Sequence, residues 1–289
     1  MNQAVKDWNQ APSTAAIAAA GPQPPRDTSS PRATRRRLPV GVSNALKAVV
    51  GLLGVLAIWE VVVLVFQLPS YLLVGPLSAF AELAARPEYF LSNAFITLQE
   101  ALAGFALGTA LGVVCGAILY YIPAMRHFLY PTLIAIDTIP KVALAPLFIV
   151  WFGFGFESKA FVAMAIAFFP LVINTFDGLA SVPHELKELA HINKASKWMQ
   201  ATKIEFIYAL PSIFTGAKIS ISLAVGGAVV GEFIAGSAGL GYVILLANSQ
   251  VDLASMFAAF MVLAAISLVL FYLINLLSVK LLPWRSNLK

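Results

Sequence analysis

The sequence predicts an all-α, polytopic membrane protein, and three observations carry that prediction. Of its 289 residues, 60% are hydrophobic and 11% charged, whereas a water-soluble domain carries about a quarter charged residues. The apolar residues gather in windows long enough to cross a bilayer, which takes about 20 mainly apolar residues as a helix. Lys and Arg are distributed one-sidedly between those windows, as the resistance of basic side chains to translocation requires.

Six windows follow in order, at roughly 46–67, 94–121, 128–151, 159–178, 213–235 and 254–282. Residues 1–42 are rich in Ala, Pro, Ser and Arg and hold no apolar run that reads as a cleaved signal. They are expected to form a disordered cytoplasmic tail, with residues 43–289 as the membrane domain. Arg26, Arg32, Arg35, Arg36, Arg37 and Lys47 precede the first window, but only Arg86 follows it, with Glu82 and Glu88. The N-terminus is therefore expected inside. Each span flips the side, which places Arg126 and His127 inside, the turn around Gly155 to Lys159 outside, and His184 to Glu205 inside. Arg285 and Lys289 then fall inside as well. The Arg35-Arg36-Arg37 run reads as a topology anchor beside the lipid bilayer rather than a nucleic-acid patch, because the first span begins shortly after it.

Composition also excludes chemistry. One cysteine, Cys115, lies inside an apolar window, so neither a disulfide framework nor a thiolate metal cluster is expected. His127, His184 and His191 are scattered, and no metal site is read from them. No Gly-rich phosphate loop of the Walker type is present, so ATP hydrolysis by this chain is not expected and energy must come from elsewhere.

Gly104, Gly108, Gly112 and Gly116 recur at steps of four in the second window. That spacing bares one helical face, and close approach at small residues is a main source of helix association in lipid. The second span is therefore expected to be central. Gly226, Gly227 and Gly231 repeat the theme in the fifth window, followed by Gly236, Gly239 and Gly241 in a short external segment. Pro123 and Pro131 bracket the inner loop. Pro140 and Pro146 lie inside the third window, which cannot then be a regular helix. Broken membrane helices are tolerated where protein or a water-filled cavity re-satisfies the backbone, so this segment is expected to line a pathway. Asp137 and Lys141, four apart, either pair there on one face or snorkel to the interface. Glu232, beside the Gly-rich segment, is either a gate or a structural residue. Glu60 has no evident partner in the sequence and reads as structural.

Between the fourth and fifth windows, residues 182–211 are too long and too charged for a turn and read as two short helices. Pro183 suits a first helical position and Glu185 a first turn. Leu186, Leu189 and Ile192 or Asn193 recur at helical spacing, leaving Lys187, Glu188, His191 and Lys194 on the other faces. Such an amphipathic helix wants a partner groove or a lipid surface.

At this loop the chain resembles a family. Val182-Pro183-His184-Glu185-Leu186-Lys187-Glu188-Leu189-Ala190, continuing through Ala195-Ser196-Lys197-Trp198 to Ala209-Leu210-Pro211, is similar to the EAA loop of ABC-importer permeases. Pro140-Lys141-Val142-Ala143-Leu144-Ala145-Pro146-Leu147-Phe148, Trp151-Phe152-Gly153 and Ser158-Lys159 resemble the nitrate/sulfonate/taurine branch. So do Gly231-Glu232-Phe233 and Ala238-Gly239-Leu240-Gly241-Tyr242. The resemblance covers everything from about residue 46. It implies the MetI-like architecture of type I importers, set in a bacterial inner membrane, with Glu185, Leu186, Glu188, Leu189, Ala190, Lys194, Ala195 and Ser196 forming a loop that docks on an ATPase subunit. It also implies a second permease copy, identical or not, an extracytoplasmic solute-binding protein, no cofactor in this chain with ATP used by the partner subunit, and small oxyanions or organic sulfonates as cargo. The family loop runs Glu-Ala-Ala, three residues, Gly, nine residues, Ile, one residue, Leu-Pro. This chain keeps Glu188, Ala190 and Ile204 but carries Leu189, Lys194, Phe206 and Ile207 at other positions. Lysine lacks the freedom glycine would give the turn, so either the turn is made differently or docking is weakened. An ion-gradient-driven transporter is the competing class. It usually carries repeats in matching halves, and the sequence offers no convincing repeat. A membrane-embedded enzyme would need clustered acids or histidines, and those present are dispersed.

Overall fold

The computed structural model describes residues 40–67 and 69–283, with side chains from residue 50 onward apart from residue 52. Residues 1–39 of the expected tail, and Arg285 and Lys289, lie outside the described residues. The chain divides into two units, Met1–Leu52 and Leu53–Lys289. Of the first, only helical backbone from Val40 is described; the membrane bundle belongs to the second.

Every described element is a helix or a helical turn. In order they are α1 (Val40–Val65), α2 (Pro76–Ala85), α3 (Pro87–Tyr121), α4 (Pro123–Asp137), a 3-10 turn (Lys141–Leu144), α5 (Ala145–Phe152), α6 (Phe156–Ala180), α7 (His184–Ile192), α8 (Lys197–Met199), a π-helical turn (Gln200–Glu205), α9 (Phe206–Ala235), α10 (Leu240–Ser249) and α11 (Leu253–Leu281). Pro76, Pro87 and Pro123 each open a helix, where the missing N–H costs nothing and φ is already set. Four helices are long and apolar enough to cross a membrane: Pro87–Tyr121, Phe156–Ala180, Lys197–Ala235 and Leu253–Leu281. A fifth crossing is broken, because Pro123–Asp137 and Lys141–Phe152 meet at 91°. The first expected window falls on α1, of which Leu53–Val65 is short for a span. Length and composition among the described residues thus give four spans, or five with the bent pair, and the remaining window of the six expected is the one on α1.

The centre is α3, α6 and α9. Gly104 lies against Ala160 and Ala163, Gly108 against Met164 and Ala167, Gly112 against Phe168 and Leu171, and Gly116 against Val172 and Thr175. Both series rise together, so α3 and α6 run parallel. Two parallel neighbours require the chain to cross back between them, and α4 with α5 is the segment that does so. α9 runs antiparallel to α6, with Gly216 on Pro170 and Asn174, Gly227 on Ala163, and Gly231 on Lys159. Ser220 locks the register by donating to the Ala167 carbonyl at 2.6 Å. The shared core is correspondingly small-sided, built on Ala101, Ala163, Ala167, Ala224 and Ala228 with Ile221.

The α2–α3 junction is tied to the start of α11. Arg86 ion-pairs with Glu82, donates to Ser255 Oγ at 2.7 Å and stands 3.7 Å from Asp252. Asp252 caps α11, accepting from the Ser255 amide at 3.1 Å and its hydroxyl at 2.6 Å. Partial burial works against the Asp252 charge, but the Ser255 hydrogen bonds and the Arg86 charge outweigh it and hold this carboxyl below the ordinary range. Glu60 also finds a partner, correcting the reading that it had none. It accepts from the Leu77 amide at 3.1 Å, so the first turn of α2 is capped from α1.

Two outcomes are expected. A Cβ on Gly112 would stand 2.7 Å from Leu171 Cβ, and one on Gly116 2.7 Å from Thr175 Cβ, whereas Gly54 has nothing within 4 Å. Gly112→Val and Gly116→Val should each cost about 1–3 kcal/mol and lower the thermal midpoint in detergent, with Gly54→Ala much closer to wild type; equal midpoints would overturn the packing. A lowered carboxyl stabilises the fold above its unfolded value, about 3.9, and loses that contribution as pH falls through its folded value. Asp252→Asn should therefore be less stable than wild type at pH 7, by under about 1 kcal/mol for so exposed a pair. The gap should close below about pH 4, read as unfolding midpoints across pH.

Candidate functional site

At the α10 end of the bundle, side chains from α3 and α9 satisfy the first amides of a third helix. Gly239 adopts a left-handed φ of 105°, which brings three consecutive N–H groups together at the start of α10. Gly239 N–H donates to Asn93 Oδ1 at 2.8 Å, Leu240 N–H to Thr97 Oγ1 at 2.8 Å, and Gly241 N–H to Glu232 Oε2 at 2.5 Å. Thr97 in turn donates to Glu232 Oε1 at 2.6 Å. Glu232 is fully buried, with both oxygens committed to these bonds. Beside it, Lys159 pairs with Glu100 at 2.6 Å with side-chain exposures of 8% and 1%. Lys159, read from sequence as part of a turn, is a buried residue of α6. Sequence reasoning misses Glu100, although it lies one turn before Gly104 on the helical stripe that faces α6.

Level with the middle of α6 the third span breaks. Pro140 stands before the 3-10 turn and Pro146 sits in the first turn of α5, so the second proline opens a helix rather than interrupting one. Lys141 Nζ lies 2.5 Å from Asp137 Oδ1 and 4.7 Å from the centroid of the Phe169 ring. Asp137, Pro140, Lys141 and Pro146 therefore meet at one break. Glu232 is not with them: Phe169 and Lys159 are ten residues apart on α6, about 15 Å of helical rise.

At the α7 end, α7 presents two faces. Ala190 is buried, Leu186 and Lys187 are half-buried, and Lys187 lies over the Tyr120 ring at 5.5 Å. Glu185, Glu188, Leu189 and Ile192 point away, with Leu189 55% and Ile192 76% exposed. Glu188 lies 3.1 Å from His184. The helix ends at Lys194, whose φ is 53°. Lys194 N–H bonds the His191 carbonyl at 2.9 Å and Ala195 N–H the Ala190 carbonyl at 3.0 Å, a Schellman close that normally favours glycine. The lysine thus makes the turn that its side chain was expected to resist. Ser196 accepts from the Met199 amide at 3.2 Å and starts the next helix. That helix is not a second short one: Lys197–Ala235 is continuous. Glu205, buried in its π-helical turn, accepts from Tyr121 at 2.7 Å and Gln200 at 2.9 Å, fixing the loop to the end of α3. Next to that joint a cavity of about 600 Å³ opens between Tyr120, Lys197 and Trp198.

Residues 108–285 match the family described as binding-protein-dependent transport system inner membrane component. The chain belongs to this family. It is 38% identical to the riboflavin transport system permease protein of Chloroflexus aurantiacus, over 84% of this chain and 91% of that one. It is 34% identical to the formylaminopyrimidine transport permease protein of Halalkalibacterium halodurans, over 84% and 98%. A putative aliphatic sulfonates transport permease protein of Bacillus subtilis is 33% identical, over 81% and 85%. Among solved structures, an inward-facing methionine ABC transporter chain shares the fold, with a TM-score of 0.60 at 19% identity, over 68% of this chain and 98% of that one. The protein is a multi-pass permease subunit of an ABC transport system.

A non-glycine residue in the left-handed region costs about 1–3 kcal/mol. Lys194→Gly should therefore protect the α7 amides against hydrogen exchange by a further factor of about five or more; unchanged protection would mean that the turn carries no strain.

Proposed function

We propose that this permease forms, with a second permease copy, the translocation path of an ATP-driven importer, and that α7 is the surface on which an ATPase subunit docks. The carrying observation is the outer face of α7, where Leu189 and Ile192 lie exposed, with Trp198 on the following helix 78% exposed. An amphipathic helix with its apolar side chains turned outward needs a partner groove. The basic residues flanking the first span support a cytoplasmic N-terminus. With α1 counted as the first crossing, α1, α3, the bent pair and α6 precede α7, so the α7 end is cytoplasmic and the α10 end faces the solute-binding protein.

On this reading, ATP bound by the partner subunits draws the docked loops together. The 39-residue helix Lys197–Ala235 carries that movement from the loop to Glu232, about 50 Å away. The bonds from Asn93, Thr97 and Glu232 to the start of α10 are where the outer end opens and closes. Nothing chemical happens to the cargo. Small oxyanions or organic sulfonates are the proposed cargo, supported by the branch resemblance and by the name of the Bacillus subtilis relative.

Purification of the tagged chain in mild detergent tests the docking. An ATPase with a Walker phosphate loop, identified by mass spectrometry, should co-purify with wild type and be lost from Glu188→Arg/Leu189→Asp. A chain that purifies without any such ATPase would overturn the proposal.

A further inference from the structure

α9 carries a lysine that the resemblance and the packing leave unexplained. Lys218 is half-buried, and among the described residues it has no ion pair and no hydrogen bond. Its depth follows from its neighbours. Gly216 lies on Pro170 and Asn174, and Ser220 bonds the Ala167 carbonyl, so Lys218 is level with the middle of the 25-residue α6. Lys141 reaches Phe169 at the same level, which places the break of the third span at this depth too. Asp137 neutralises Lys141 there, whereas Lys218 remains uncompensated, and neither α3 nor α11 brings a charged residue to this level.

The face around Lys218 is polar as well. Thr215, Ser222 and Gly226 recur with it at steps of three or four, all exposed, and a Cβ on Gly226 would meet nothing within 4 Å. Ile219 and Leu223 are interleaved. The exposed face of α11 is different in kind, running through Leu268, Val269, Leu273, Leu276 and Val279, as a lipid-facing surface should. An unpaired cation at mid-depth is expensive in hydrocarbon and marks a substrate or ion route, and a helix break at the same depth is what solute sites within membranes are built beside.

We propose that the Thr215–Lys218–Ser222–Gly226 face of α9 lines the translocation path and that Lys218 selects a small oxyanion, a carboxylate or a sulfonate. An ammonium offers a compact charge with three donors, and the Ser222 hydroxyl, one turn away, adds another. The assignment rests on the permease reading, and two copies facing one path would bring two such lysines to the anion.

Cys115 is the only cysteine, so thiol labelling tests this in the assembled complex. In a Cys115→Ala background, Ser222→Cys and Thr215→Cys are treated in membranes with two methanethiosulfonates, one bearing a sulfonate and one a quaternary ammonium. Both positions should label while Leu273→Cys does not. The anionic-to-cationic rate ratio should fall about tenfold on adding Lys218→Gln, the size of effect a focused local charge produces. No labelling at either position overturns the path, meaning that this face packs against protein or lipid. Labelling whose ratio ignores Lys218→Gln overturns the anion. Failure of the permease reading is separately visible as loss of the co-purifying ATPase while the labelling pattern stands.

Discussion

The close approach of α3, α6 and α9 is the constraint on which the rest of this structure depends. Lipid tails are as apolar as the helices themselves, so burial contributes little between spans, and backbone contact must supply the association. Gly104 through Gly116 on α3, and Gly216, Gly227 and Gly231 on α9, press on adjacent faces of α6 that meet at Ala163. Once α3 and α6 are held parallel, the connection between them has to recross the bilayer. It does so in two pieces that meet at 91°, and that break places Lys141, paired with Asp137, over Phe169 in the middle of α6.

The same tight core explains where the polar groups go. Small side chains leave room for Glu100, Lys159, Thr97 and Glu232 between helices at one end, and each reaches a partner there. A buried polar group without a partner is costly, more so away from water. The capping of α10 by Asn93, Thr97 and Glu232 therefore binds the outer elements to the core more specifically than apolar contact would. The opposite end is organised differently. Tyr121 and Gln200 hold Glu205, so α9 begins from a fixed joint, while α7 keeps Leu189 and Ile192 exposed.

Two lysines show how one residue type serves separate physical ends. Lys159 is buried and paired, and its charge is absorbed by Glu100. Lys218 has no such partner among the described residues and lies level with the middle of α6. Lys194 adds a third case, a backbone one, in which a residue with a Cβ occupies the left-handed close of a helix.

The sequence by itself determined the helical membrane class, the glycine face of α3, the break of the third span and the amphipathic α7, because each is written in local composition and spacing. It also carried the family resemblance, since several short segments recur in order. Span count and helix limits were less legible: the continuous helix that ends in α9 begins at Lys197 rather than near residue 213, because polar residues at a membrane surface extend a helix without any apolar signal. Only the tertiary structure decided that Glu60 caps α2, that Glu232 is buried against Thr97, that Glu100 meets Lys159 across 59 residues of sequence, and that Lys218 has no charge partner among the described residues. Partnership between charges is a property of which helix faces meet. That depends on long-range packing, which no local pattern encodes.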